Sequence, residues 1–166
     1  SLNPLAMIII LMGVAGSGKT TIGSLLAQEL NWDFYDADDF HSKSNRDKMS
    51  QGTPLTDEDR SSWLLALRNR LVRNDQAGKS TILACSALKE SYRNILNINE
   101  NVKFVHLQGT YKQIEERLKN RKGHYMPAKM LASQFEILEQ PKNILLIDIT
   151  NSPQKIITLI RKGLNL

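Results

Sequence analysis

With 166 residues, of which 41% are hydrophobic and 23% charged, the chain holds enough apolar material for one well-buried core, which excludes a disordered or fibrous protein. Its 22 Lys and Arg against 17 Asp and Glu leave a net charge of +5, suited to polyanionic ligands of any kind, nucleotide or nucleic acid. The single cysteine, Cys85, excludes an internal disulfide and suits a reducing, cytoplasmic setting, and no apolar run approaches the roughly 20 residues of a membrane span.

Residues 1–6, SLNPLA, lack the pattern of a signal peptide and read as an expression remnant or ragged leader, so one domain is expected over 7–166. MIIILM, from Met7 to Met12, predicts a core strand, and Ile22, Leu25, Leu26 and Leu30 follow at helical spacing. DFYDA predicts a short second strand. A long helix is expected from Asp57 to Asp75, with Trp63, Leu64, Leu67 and Leu71 on one face. Next come TILACS as a strand, LKESYRNIL as a helix, VKFVHL as a strand, YKQIEERLKN as a helix, ILLIDI as a strand and a last amphipathic helix. Strand and helix alternate throughout, which predicts an α/β fold: a parallel sheet with helices on both faces in three layers. The rhythm breaks at Phe40–Thr56 and at Lys122–Pro127, both candidate ligand-covering segments.

Directly after the first strand stands Gly13-Val14-Ala15-Gly16-Ser17-Gly18-Lys19-Thr20-Thr21, a match to G-x-x-x-x-G-K-[ST] in the required strand-to-helix context. Such a loop turns successive N–H groups onto phosphate oxygens, adds the positive end of a helix, and uses Lys19 for the outer phosphates and Thr20 for Mg²⁺. A nucleotide with Mg²⁺ is therefore expected, and the loop by itself leaves a GTPase, a motor-type ATPase and a small-molecule kinase open. No N-K-x-D is present to read guanine, and Asp75-Gln76-Ala77-Gly78 reads as a helix-ending turn with Gly78 as its cap.

The acids of DFYDADDFH come at the end of the second strand, beside the phosphate loop. In an extended chain Asp36 and Asp38 share a face, so both are expected to project into the site, Asp36 towards the metal's waters and Asp38 towards an acceptor hydroxyl. His41 is either a local hydrogen-bonding group or a ligand contact. Thr56 with Asp59 reads as a capping box, which makes Asp57, Glu58 and Asp59 structural acids. Trp63 reads as core and Arg60 as a possible anion contact; Asp148, after ILLI, is favoured as a turn residue over a metal-side acid. The run RLKNRK, Arg117–Lys122, is by itself either a solvated helix face or an anion-binding element.

NRDKMSQGTPLTDEDRSSWL (Asn45–Leu64), CSALKESYR (Cys85–Arg93) and RKGHYMPAKMLASQFEILEQP (Arg121–Pro141) together closely resemble the gluconokinases, over nearly the whole chain from Met7 to Leu166. The departures are mild: Ala37 stands where glycine is common between the two acids, and Ser62 where proline often precedes the tryptophan. The resemblance implies a nucleoside monophosphate kinase or shikimate kinase-like P-loop kinase fold with a five-stranded parallel sheet, and transfer of the ATP γ-phosphoryl group to the 6-hydroxyl of D-gluconate. It also implies a homodimer acting in gluconate catabolism beside the pentose phosphate route. A lid is expected at about 121–129 and a substrate-binding insertion at about 40–60. The lid would bring Arg117 and Arg121 to the nucleotide, with Lys122 and His124 beside them and Arg121 meeting the transferring phosphoryl charge. Gluconate needs a cation for its carboxylate and short polar groups for its hydroxyls, for which Asp38, His41, Arg46, Lys48, Arg60, Ser86, Lys89, Arg93 and His124 are candidates. Lys89 and Arg93, one helical turn apart, are expected to share a face towards the site. Gln134 falls where shikimate kinases carry a substrate-binding arginine, which argues against shikimate. The rival readings are a kinase for another small polyol acid and a basic P-loop switch protein; the absence of aromatic residues within RLKNRK and of a recognised nucleic-acid motif argues against nucleic acid, and no membrane partner is expected.

Overall fold

The computed structural model describes residues 6–121 and 126–166. Its centre is β1 (Ile8–Met12), every residue of which is buried. Because neighbouring side chains of a strand point to opposite faces, this unbroken apolar run feeds two cores. Ile9 and Leu11 join Ile22, Leu26, Val105, Ile157 and Ile160 on one side, while Ile8, Ile10 and Met12 join Trp63, Leu64, Leu67, Leu71 and Leu96 on the other. Each fully buried aliphatic side chain contributes about 1.5–3 kcal/mol.

After β1 the chain runs through α1 (Lys19–Leu30), β2 (Asp33–Asp36), a 3-10 helix at Ala37–Phe40, α2 (Lys43–Ser50), α3 (Asp57–Gln76), β3 (Thr81–Ala84), α4 (Glu90–Leu96) and β4 (Val102–Gln108). It finishes with α5 (Tyr111–Lys119), α6 (Ala128–Ile137), β5 (Leu145–Asp148) and α7 (Pro153–Gly163). The five strands lie in the order β2-β3-β1-β4-β5, and every pair is parallel. Chain order reverses around β1, so the crevice beyond its C-terminal end is where a ligand belongs. The three-layer P-loop kinase fold expected from the sequence is the fold observed.

Three stretches depart from expectation, the first being Ala128–Ile137, where α6 forms although no element was expected. The break at Phe40–Thr56 contains a real helix, α2, started by Ser42, whose hydroxyl accepts from the Asn45 N–H at 3.1 Å. DFYDA is strand only to Asp36; Ala37 already belongs to the 3-10 helix, which Asp36 caps. The capping box at Thr56 and Asp59 is present at the start of α3, Gly78 follows that helix at φ +70°, and Asp148 accepts from the N–H and hydroxyl of Thr150 as a turn residue does. Among the described residues no helix is long and apolar enough to cross a membrane.

Candidate active site

The loop between β1 and α1 is shaped by what a side chain would collide with. Gly13 sits at φ +149°, and a Cβ there would lie 2.6 Å from the Leu107 carbonyl oxygen of β4, so only glycine lets the chain turn so close to the neighbouring strand. Gly18, at φ +97°, precedes α1 and provides no side-chain cap. The helical ladder begins with the Ile22 N–H on the Gly18 carbonyl, so the N–H groups of Lys19, Thr20 and Thr21 precede it and remain open to an anion. Lys19 folds back over the loop and donates to the carbonyls of Gly13 at 2.9 Å and Val14 at 3.0 Å. Burial pushes its ammonium down to about 8, against the opposing pull of Asp38 and Asp36. A desolvated cation on a loop that leads into open helix-start amides fits a polyphosphate, whose charge would restore what burial removes. The hydroxyl of Ser17 is buried without a partner among the described residues.

Thr20 donates from its hydroxyl to Asp36 Oδ2 at 2.9 Å, joining the start of α1 to the end of β2. The other oxygen, Oδ1, accepts from the Asp38 N–H at 2.9 Å. The expectation that Asp36 and Asp38 share one face of an extended strand is thus corrected: the chain turns into the 3-10 helix between them, and they meet through a cap. Burial, then the neighbouring Asp36, raises Asp38 above the ordinary carboxylate range, with Lys19 acting in the opposite sense. No described side chain bonds its carboxylate, which leaves a proton acceptor facing the crevice. Thr20 and Asp36 are the pair able to receive a divalent cation that takes its other ligands from phosphate and water; the described residues form no group of three or more His, Cys, Asp or Glu suited to a metal.

The remaining candidates divide into those held by the fold and those left free. Trp63 donates from its indole to the Ala37 carbonyl at 2.7 Å and stacks on His41, with ring centroids 4.4 Å apart and 12° between planes. Arg46 donates to the carbonyls of His41 and Asp39 at 3.2 and 3.0 Å. Lys48 pairs with Asp59 at 2.7 Å, and this bond first of all holds the Asp59 carboxyl down at about 2. Arg60 lies half-buried, 3.7 Å from Asp57. Ser86 accepts the Gly13 N–H on its carbonyl at 3.2 Å, fixing the end of β3 to the phosphate loop.

Arg93 requires correction. It is buried, and its guanidinium donates to the carbonyls of Ala87, Leu88 and Glu139 at 2.7, 3.2 and 2.9 Å. It therefore staples the turns around α4, while the Lys89 ammonium lies 5.6 Å from the centre of the Tyr92 ring. Arg117 donates to the Ile149 carbonyl and its Nη1 approaches Gly18, while Arg121 is exposed beyond α5 and its charge is felt at Lys19. Lys122 and His124 lie outside the described residues, as does the middle of the expected lid.

Three contributors escaped the sequence reading. Gln134 of α6 accepts the Ala15 N–H on its Oε1 at 2.7 Å, tying the helix after the lid region to the phosphate loop. Its signal was only that it replaces an arginine. Asn45 is buried at the start of α2 and touches both His41 and Asp59; its place four residues after His41 in a polar helix was the available clue. His106 of β4 is 2% exposed, with Nδ1 unpartnered among the described residues, and nothing in VKFVHL distinguished it from its apolar neighbours.

A phosphate loop at the switch point of a parallel sheet, with a threonine and an aspartate joined beside it, defines an ATP-dependent P-loop kinase for a small acid, and residues 15–155 match the family model described as shikimate kinase. Within that class the chain is 44% identical to a probable gluconokinase of Xenopus tropicalis, covering 93% of this chain and 91% of the relative. It is 48% identical to the probable gluconokinase of Rattus norvegicus over 81% of this chain and 83% of that one. A gluconokinase crystal structure from Sinorhizobium meliloti 1021 superposes with a TM-score of 0.88 at 36% identity, covering 97% of this chain and 93% of that chain. The chain belongs to the gluconokinase family.

Proposed function

We propose that the protein phosphorylates the 6-hydroxyl of D-gluconate with ATP and Mg²⁺, giving 6-phospho-D-gluconate and ADP. The observation that carries this reading is the hydrogen-bonded Thr20–Asp36–Asp38 cluster near Lys19 of the phosphate loop, which offers a metal pair and a proton acceptor beside a phosphate cradle. Lys19 and the open amides at the start of α1, those of Lys19, Thr20 and Thr21, hold the phosphates within the Gly13–Thr21 loop. Thr20 and Asp36 would hold Mg²⁺, which would supply positive charge against the phosphates. Asp38 orients the acceptor hydroxyl and takes its proton, while Arg121, with Arg117, offsets charge at the transferred phosphoryl group.

Gluconate lies along the segment from about 40 to 60. Lys89, free of carboxylate partners among the described residues, is the cation for its carboxylate; His41, Ser86 and Arg60 face its hydroxyls, and Arg46 and Lys48 support them. The resemblance supports a homodimer, and the buried, unpaired Cys85 supports a cytoplasmic setting. A coupled assay of product formation across a panel of sugar acids, with shikimate included, tests the reading. It fails if gluconate is no better an acceptor than the others. A kinase for another polyol acid remains the second reading because the matching family model is that of shikimate kinase; Gln134, spent on the Ala15 N–H, favours gluconate.

A further inference from the structure

Asn45 settles a question that the position of His41 leaves open, namely which ring nitrogen carries the proton. The Asn45 side chain reaches the Asp59 backbone carbonyl at 3.0 Å and His41 Nδ1 at 3.3 Å through the same atom, Nδ2. A backbone carbonyl can only accept, so the atom of Asn45 that faces it is the amide nitrogen and not the oxygen. That nitrogen has two hydrogens, one for Asp59 and one for the imidazole. Nδ1 is therefore an acceptor, and the proton of the neutral ring resides on Nε2. Asn45 is 3% exposed, so water does not compete for this contact.

The rest of the ring is equally constrained. Trp63 covers one of its faces, and the indole is itself anchored to the Ala37 carbonyl, next to Asp38 in the chain. The ring's backbone carbonyl is held by Arg46. Nε2 is the polar atom of His41 with no partner among the described residues. The charged groups around the ring are Asp38 on the 3-10 helix, Arg46 on α2 and Arg60 on α3.

We propose that Asn45 is a positioning residue that holds His41 as its Nε2–H tautomer, so that His41 presents a neutral hydrogen-bond donor to a gluconate oxygen beside Asp38. The pairing is complementary: Asp38 accepts from the hydroxyl to be phosphorylated, and His41 donates to an oxygen of the same polyol. A protonated ring would turn Nδ1–H against the Asn45 amide hydrogens, so the arrangement also opposes an imidazolium there. The assignment of the donor's target rests on the gluconokinase reading; the tautomer itself does not.

The test is a long-range ¹H–¹⁵N spectrum of the ¹⁵N-labelled full chain at pH 7.5. The chain has three histidines, and His41→Phe assigns the signals of His41 by their loss. The expected wild-type pattern is a protonated Nε2 and an unprotonated Nδ1. Asn45→Asp, which turns the donor into an acceptor, is expected to move the proton to Nδ1 and to raise KM for gluconate about tenfold with KM for ATP unchanged. His41→Phe keeps a ring against Trp63 and should reproduce the KM change, which covers the case in which Asn45→Asp does not fold. A wild-type ring protonated on Nδ1, or on both nitrogens, overturns the proposal whatever the enzyme's activity. An unchanged gluconate KM in His41→Phe overturns the donor role. Failure to phosphorylate gluconate at all, with the tautomer as stated, removes the gluconokinase reading and leaves the Asn45–His41 assignment standing.

Discussion

His106 makes the stability of the protein depend on pH in a predictable direction. Burial, followed by the nearby charges of Arg93 and Lys19, pushes its imidazole down to about 4 from 6.5. In the unfolded chain the ring binds a proton as pH falls through 6.5, whereas the native protein stays neutral until about 4. The unfolded state therefore holds more protons across this window, and stability falls as pH falls. With those two values, this one ring removes about 2 kcal/mol between pH 7 and pH 5 and about 3 kcal/mol by pH 4. Urea unfolding followed by tryptophan fluorescence at pH 7, 6 and 5, for wild type and for His106→Asn and His106→Leu, measures the effect. Both variants will differ from wild type in absolute stability, because each alters packing beside Met12, with which His106 is in register. The diagnostic quantity is the slope with pH, which the variants are expected to lose in part and to the same extent. If wild type and both variants lose stability in parallel between pH 7 and pH 5, His106 is not held neutral in the folded protein and the reasoning fails.

Lys19→Met is expected to abolish turnover with the fold retained, because the amine contacts loop carbonyls and no core side chain; wild-type-like turnover in a folded variant would remove Lys19 from the mechanism. Asp36→Asn and Asp38→Asn, compared at saturating gluconate, should separate the two acids: raising Mg²⁺ partly restores the first, while the second loses kcat by on the order of a hundredfold at any Mg²⁺. The assignment is reversed if extra Mg²⁺ rescues Asp38→Asn instead. Gln134→Leu leaves the Ala15 N–H without its acceptor, which should cost about 0.5–1.5 kcal/mol in urea unfolding and lower kcat/KM for ATP by roughly two- to tenfold. An unaltered kcat/KM would show that the contact has no part in nucleotide handling.

Much of the fold was legible because its signals are local. The alternation of apolar runs with helical spacing gave all five strands, and the glycine pattern identified the phosphate loop, since both follow from the geometry of one element at a time. The site was less legible where a residue's role depends on what lies far away in sequence. Arg93 looked like a free cation, yet a carbonyl 46 residues on, that of Glu139, consumes part of its guanidinium. Gln134 and Ala15 are separated by 119 residues, and no periodicity reports such a contact. Asp36 and Asp38 illustrate an intermediate case. Their proximity to the phosphate loop was readable, but the cap that ends β2 between them was not, because Asp, Ala and Asp are equally compatible with a strand end and a 3-10 turn.

That cap divides the labour of the two acids. Asp36 has both oxygens engaged, one by the Thr20 hydroxyl and the other by the Asp38 N–H, so its position is fixed relative to α1 and to the following turn. Asp38 is held differently, through its backbone. Its N–H goes to Asp36, the preceding carbonyl of Ala37 goes to Trp63 of α3, and the following carbonyl of Asp39 goes to Arg46 of α2. Three elements thus pin the peptide groups around Asp38 while no described side chain bonds its carboxylate. A hydrogen-bonded carboxylate would be stabilised as the anion and become a weaker base; a free one, desolvated and beside another acid, is shifted the other way. The helices α2 and α3, which interrupt the strand-helix alternation, supply two of those contacts. They hold this short turn after the edge strand β2 still without neutralising its carboxylate, which suits the role proposed for Asp38, orienting an acceptor hydroxyl and taking its proton.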